Sequence, residues 1–118
     1  MENNIVADKS FSFAVRIVNL YKHLTKQKRE FVLSKQVLRS GTSIGANVSE
    51  GIRAQSKANF TAKMSIALKE ATETKYWLQL LCATDYITPE QNESLLTDLS
   101  ELLGLLTAIC KTASTDKP

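Results

Sequence analysis

Between Ser10 and Lys28 the apolar residues recur with helical period on two overlapping stripes, Phe13, Ile17, Leu20 and Leu24 on one and Phe11, Ala14, Val15, Val18 and Tyr21 on the other. Only a narrow polar strip, Ser12, Arg16, Asn19, His23 and Lys26, separates them. A helix apolar over so much of its circumference has to be covered from more than one side, and the core of one small bundle covers one side. This feature constrains the chain most: it excludes an isolated surface helix and raises self-association as a requirement. With 118 residues, two Pro and four Gly, the chain is expected to be one domain with few interruptions.

The same period continues. After a polar turn at Thr25 to Arg29, a second helix is predicted over about 31–53, with Leu33, Val37, Ser40, Gly41, Ile44, Val48, Gly51 and Ile52 on one side. Its middle is small, and the Gly41 to Gly45 spacing permits close approach of two backbones at a propensity cost of about 1 kcal/mol per glycine. A third helix, capped by Ser56, is predicted over about 57–84, with Phe60, Met64, Ala67, Leu68, Ala71, Leu78 and Leu81 inward and Ile66, Trp77 and Leu80 on a second apolar edge. Thr88, Pro89 and Gln91 form a capping box with proline at the first helical position, so a fourth helix is predicted over about 89–113. Along it Leu95, Leu99, Leu102, Leu106 and Ile109 follow at alternating spacings of four and three. Four long helices joined by short connections predict an all-α, antiparallel, up-down-up-down four-helix bundle.

Most chemistry is missing from the pattern. No phosphate-binding glycine loop, zinc-peptidase helix, paired-cysteine motif or nucleophile elbow occurs. A carboxylate-bridged metal bundle needs Glu-x-x-His pairs, whereas the single histidine, His23, sits between Lys22 and Lys26 with no acid three or four residues away. The expectation is a non-enzyme with no cofactor and no metal. Cys82 and Cys110 fall too far apart along neighbouring helices for a disulfide. No run of about 18 apolar residues and no basic-then-apolar N-terminal segment is present, so a soluble cytoplasmic protein is expected, away from membranes.

Charge is unevenly distributed. The formal net charge is +3, but residues 16–39 carry seven bases against the single acid Glu30, while residues 85–118 carry six acids against two lysines. Arg16, Lys22, Lys26, Lys28, Arg29 and Lys35, with Tyr21 and Phe31 interleaved, make a candidate phosphate footprint around the first turn. No helix-turn-helix, zinc-finger or basic-zipper pattern accompanies it, so binding would rest on backbone charge or RNA shape. The competing expectation is a scaffold with no nucleic-acid affinity, whose charge poles pair between subunits or with a partner protein. In the register of the second hairpin, Arg39 falls beside Glu70 and Glu73, which predicts structural ion pairs, and Ile44 falls beside Ile66. Ser43, Asn47 and Glu50 form a polar row on the second helix that is expected to cross-link helices within or between subunits.

The run Gln36 to Gly51, with Arg39, Ser43, Ile44, Asn47 and Glu50, then Arg53, Ser56 to Phe60, Ser65 to Glu70, Glu73 and Tyr76 to Leu78, resembles the four-helix-bundle family of 23S rRNA intervening-sequence proteins. Accessory proteins of diversity-generating retroelements are related to that family. The resemblance spans nearly the whole chain. It implies a bundle that assembles into a barrel-like homopentamer and associates with RNA or DNA through a basic surface. A reverse transcriptase is the partner it implies for the retroelement relatives, and no enzymatic activity comes with it.

Overall fold

The structure, a computed structural model, describes residues 4–115. Glu2, Asp116 and Lys117 of the charge blocks lie outside the described residues. Four α-helices follow one another, α1 (Ile5–Lys26), α2 (Leu33–Ile52), α3 (Lys57–Ala83) and α4 (Pro89–Thr115), and no strand occurs among the described residues. They form an all-α four-helix bundle 50 Å long and 23 by 20 Å across. α2 packs against α1 and α3, and α4 packs against α3 and, more sparsely, against α1.

Helix limits follow from capping. α1 begins at Ile5 rather than near Ser10, because the Asn4 side chain accepts a hydrogen bond from the Ala7 N–H (3.1 Å) and caps the helix there. Ser10 is instead buried inside α1, its hydroxyl donating to the Ala7 carbonyl (3.2 Å). α2 begins at Leu33, two residues after the expected start, for a reason given below. At α3 the Ser56 hydroxyl accepts from Asn59 N–H (3.1 Å). At α4 Thr88 and Gln91 cap each other reciprocally, at 2.8 and 3.1 Å. The α3–α4 connection turns at Asp85 in the left-handed region (φ 67°), where the Tyr86 N–H reaches back to the Leu81 carbonyl (2.9 Å).

The core draws on one stripe of each helix. Phe13, Ile17 and Leu24 of α1 meet Val37, Ile44 and Val48 of α2, Met64, Leu78 and Leu81 of α3 and Leu99, Leu102 and Leu106 of α4, all essentially inaccessible to solvent. Burying each such side chain contributes about 1.5–3 kcal/mol before conformational entropy is subtracted. A Cβ added to Gly41 would lie 2.8 Å from Ile17 Cγ1, so glycine is required where α1 and α2 cross. Between α2 and α3 the buried hydroxyls of Ser40 and Thr74 share a hydrogen bond (2.9 Å), and the Thr74 hydroxyl also lies 2.8 Å from the Glu70 carbonyl.

Two side chains depart from the expected packing. Ile44 is fully buried, but Ile66, expected beside it, remains 38% exposed, because Met64 and Ala67 take the inward positions of that turn. Ile52 is likewise 40% exposed at the end of α2. Cys82 and Cys110 are free thiols. No helix among the described residues is long and apolar enough to cross a membrane.

Candidate nucleic-acid interface

The second stripe of α1 is not in the core. Phe11, Val15 and Val18 are exposed by 70, 47 and 37%. With Ala7, Ala14, Gly45, Ala46, Ile52 and Arg53, Phe11 lines a groove of about 510 Å³ between α1 and α2 that is mostly apolar. On the opposite flank of α1, Arg16, Asn19, His23, Glu90 and Ser94, with Leu20 and Leu95, line a groove of about 450 Å³ towards α4 whose lining carries more polar surface.

The α1–α2 turn carries the basic pole, and its backbone is held unusually firmly. Lys22 and Lys26 on the last turns of α1, Lys28 and Arg29 in the connection and Lys35 on α2 are all exposed. None of the five forms an ion pair with a described acid. Arg29 occupies the left-handed region (φ 56°), an arrangement costing a non-glycine residue about 1–3 kcal/mol, and it allows the Glu30 N–H to reach the Leu24 carbonyl (2.9 Å).

Glu30, the one acid in this stretch, is buried. Its carboxylate accepts hydrogen bonds from the N–H groups of Val32 (3.1 Å), Leu33 (2.8 Å) and Ser34 (2.7 Å), and the Ser34 hydroxyl donates to the Glu30 carbonyl (2.9 Å). The Glu30 side chain therefore supplies the N-terminal cap of α2 that Val32, which has no side-chain acceptor, cannot. Burial pushes the Glu30 carboxyl up, but the N–H donors outweigh it and hold the group below the usual carboxylate range. The cap also commits the only negative charge of the turn to the helix N-terminus. Around it Phe31 is 50% and Val32 71% exposed, and the Arg29 guanidinium lies 5.7 Å from the centre of the Phe31 ring.

Arg16, grouped with this cluster on sequence spacing, lies elsewhere. Its guanidinium donates to Asp98 (2.8 Å), to the Ser94 hydroxyl (2.9 Å) and to the Ser94 carbonyl (3.2 Å), so it closes the α1–α4 seam. Lys9 pairs with Glu101 on the same seam (3.1 Å). The structure thus leaves Lys22, Lys26, Lys28, Arg29 and Lys35 exposed in or near the α1–α2 connection and ties Arg16 to α4.

The polar residues of α2 and α3 divide between two roles. Arg39 bridges to Glu70 (3.1 Å) and to Glu73, and Glu73 also accepts from the Trp77 indole N–H (2.9 Å). Glu50 pairs with Lys63 of α3 (2.7 Å). Ser43 and Asn47 do not cross to another helix of the chain; their side chains donate to the Arg39 and Ser43 carbonyls of α2 itself (2.7 and 2.8 Å). Short polar side chains on a helix reach the preceding turn more readily than a neighbouring helix. Among the described residues no group of three or more His, Cys, Asp or Glu side chains is placed to hold a metal ion.

Sequence reasoning missed Glu30 as a functional part of the turn. The available signal was an acid standing just before a helix start that lacks a Ser, Thr, Asp or Asn cap.

The sequence profile of the 23S rRNA-intervening sequence proteins matches residues 2–108. The chain belongs to this family. A crystal structure at 1.70 Å resolution of a protein of unknown function from the S23 ribosomal protein family of Bacteroides thetaiotaomicron VPI-5482 is 61% identical to it. The two superpose with a TM-score of 0.92 over 95% of this chain and 100% of the other. No functionally curated protein matches the chain. The shared fold includes α2, on which Arg39 lies beside Glu70 and Glu73 of α3.

Proposed function

We propose that this member of the family is a cytoplasmic, non-enzymatic adaptor: an antiparallel up-down-up-down bundle that assembles into a barrel-like homo-oligomer, a pentamer, and holds RNA or DNA on its basic turn. The observation that carries the nucleic-acid reading is the group of five exposed cations without a partner among the described acids, in a turn whose one carboxylate is folded inward. Such a group can neutralise backbone phosphates, and each neutralised phosphate releases counterions. The antiparallel order is supported by the ion pairs. From Lys9 to Arg16 up α1 the partners run down α4 from Glu101 to Asp98, and from Arg39 to Glu50 up α2 they run down α3 from Glu70 and Glu73 to Lys63. Self-association is supported by the outward stripe of α1, and the pentamer by the family resemblance. The non-enzymatic reading is supported by the use made of the part-buried carboxylates, with Glu30 capping α2 and Glu70 and Glu73 paired with Arg39.

Labelled RNA and DNA titrated at 50 and 200 mM salt test this. Five phosphate contacts give an affinity loss of roughly several hundredfold for duplex and about a hundredfold for a single strand over that interval. Charge reversal of Lys26, Lys28 and Arg29 abolishes the binding. No binding at 50 mM salt would leave the chain as a scaffold without nucleic-acid affinity.

A further inference from the structure

We propose that the α1–α2 turn selects unpaired nucleotides, with the Phe31 ring as a stacking platform for one exposed base and Lys26, Lys28 and Arg29 holding the phosphates on either side of it. The inference rests on the nucleic-acid reading above and adds the class of substrate. Three observations carry it. First, Phe31 leaves half of its surface open to solvent, in a connection between helices rather than on a helix face that packing could cover. Second, the ring does not float. The next three N–H groups, of Val32, Leu33 and Ser34, are all bound by the Glu30 carboxylate, so the backbone carrying the ring is fixed before a ligand arrives. Third, the Arg29 guanidinium lies over one face of the Phe31 ring, 5.7 Å from its centre, which places a cation directly beside the aromatic platform and leaves a base the other face.

A phosphate footprint alone does not select a single strand, because a duplex presents phosphates as well, and at higher charge density. An exposed aromatic ring beside it does. In a duplex the base faces are stacked on each other and unavailable, whereas in a loop, a bulge or a single strand each base offers a free face. Nothing at the turn is shaped to read a groove: it is a six-residue connection, 27–32, between two helix ends. Stacking is tolerant of base identity, so the expected ligand is unpaired RNA or DNA with little sequence preference.

The test uses the full chain and a labelled single-stranded oligonucleotide of about 12 nucleotides, alone and annealed to its complement, at 50 mM salt. The single strand binds more tightly than the duplex. Phe31→Ala weakens single-strand binding by about 5- to 150-fold and changes duplex binding less than about twofold, the range expected for loss of one stacked base. Phe31→Trp restores single-strand binding, while Lys26→Glu with Lys28→Glu weakens both ligands together. Circular dichroism of each variant verifies the fold. Equal loss on both ligands, or no loss, overturns the proposal. So does a Phe31→Ala variant whose particle mass falls in light scattering, which would make the ring a contact between copies. Binding to anionic phospholipid vesicles that depends on Phe31, without any for the oligonucleotide, assigns the turn to a membrane surface and overturns it too. If the wild type binds neither strand nor duplex, the nucleic-acid reading itself fails, a result distinguishable from an indifferent Phe31.

Discussion

The two flanks of α1 face neighbouring helices of the same chain, yet they are built on opposite terms. Towards α4 the seam is polar. Lys9 and Arg16 reach Glu101 and Asp98 within the one chain, and the flanking groove carries His23, Glu90 and Ser94. Towards α2 the backbones approach closely at Gly41, and above that contact Phe11, Ala14 and Ile52 line an apolar groove with no covering element among the described residues. The polar flank is complete as it stands. The apolar flank leaves Phe11, Val15 and Val18 exposed, and burying each would add roughly 1.5–3 kcal/mol that the lone bundle forgoes. A helix can therefore be finished on one side and left open on the other, and the residue types state which side is which.

Three substitutions sharpen that contrast. Gly41→Leu drives a side chain into Ile17, which is fully buried and cannot yield, so it destabilises the fold by about 3 kcal/mol in denaturant unfolding. Unchanged stability would mean that α1 and α2 are not in close contact. Glu30→Gln acts on the turn that holds these two helices together. It removes the charge from the α2 cap and costs about 1–2 kcal/mol near neutral pH.

The pH dependence of Glu30 has a definite sign. Its folded pKa lies below the unfolded value of about 4.3, so its stabilisation is complete above that value and is lost as the pH falls through the folded pKa. The gap between wild type and Glu30→Gln should close in acid; a gap independent of pH would contradict the cap. Asp98→Asn has the smallest effect. On the polar flank both partners are partly exposed, so the loss is under about 1 kcal/mol and shrinks with added salt. A loss above about 2 kcal/mol would mean that this seam is as closed as the other.

Much of the bundle could be read along the chain, because helix period and capping are local. The Phe13, Ile17, Leu20 and Leu24 stripe, the Thr88–Gln91 capping box and the hairpin register that sets Arg39 against Glu70 and Glu73 each depend on spacing within one or two helices. Azimuth is not local. The two stripes of α1 share a period, and only the presence of α2, α3 and α4 decides that Phe13 goes in and Phe11 stays out. The same limit explains Arg16, whose partners Ser94 and Asp98 are remote in sequence and meet it only through the α1–α4 seam. Glu30 was concealed in another way: among seven bases it reads as a diluted charge, and its capping role depends on a turn geometry set by Arg29. Ser43 and Asn47 were legible as a polar row, but whether such side chains reach across or back depends on distances that spacing does not carry.

The open flank of α1 is tested most directly by the mass of the purified chain in static light scattering at micromolar concentration. A second copy covering Phe11 and the α1–α2 groove predicts a particle several times the 13.1 kDa chain mass, five times for the pentamer, that falls to one copy in Phe11→Glu without loss of helicity. A wild type that stays at 13.1 kDa would contradict it.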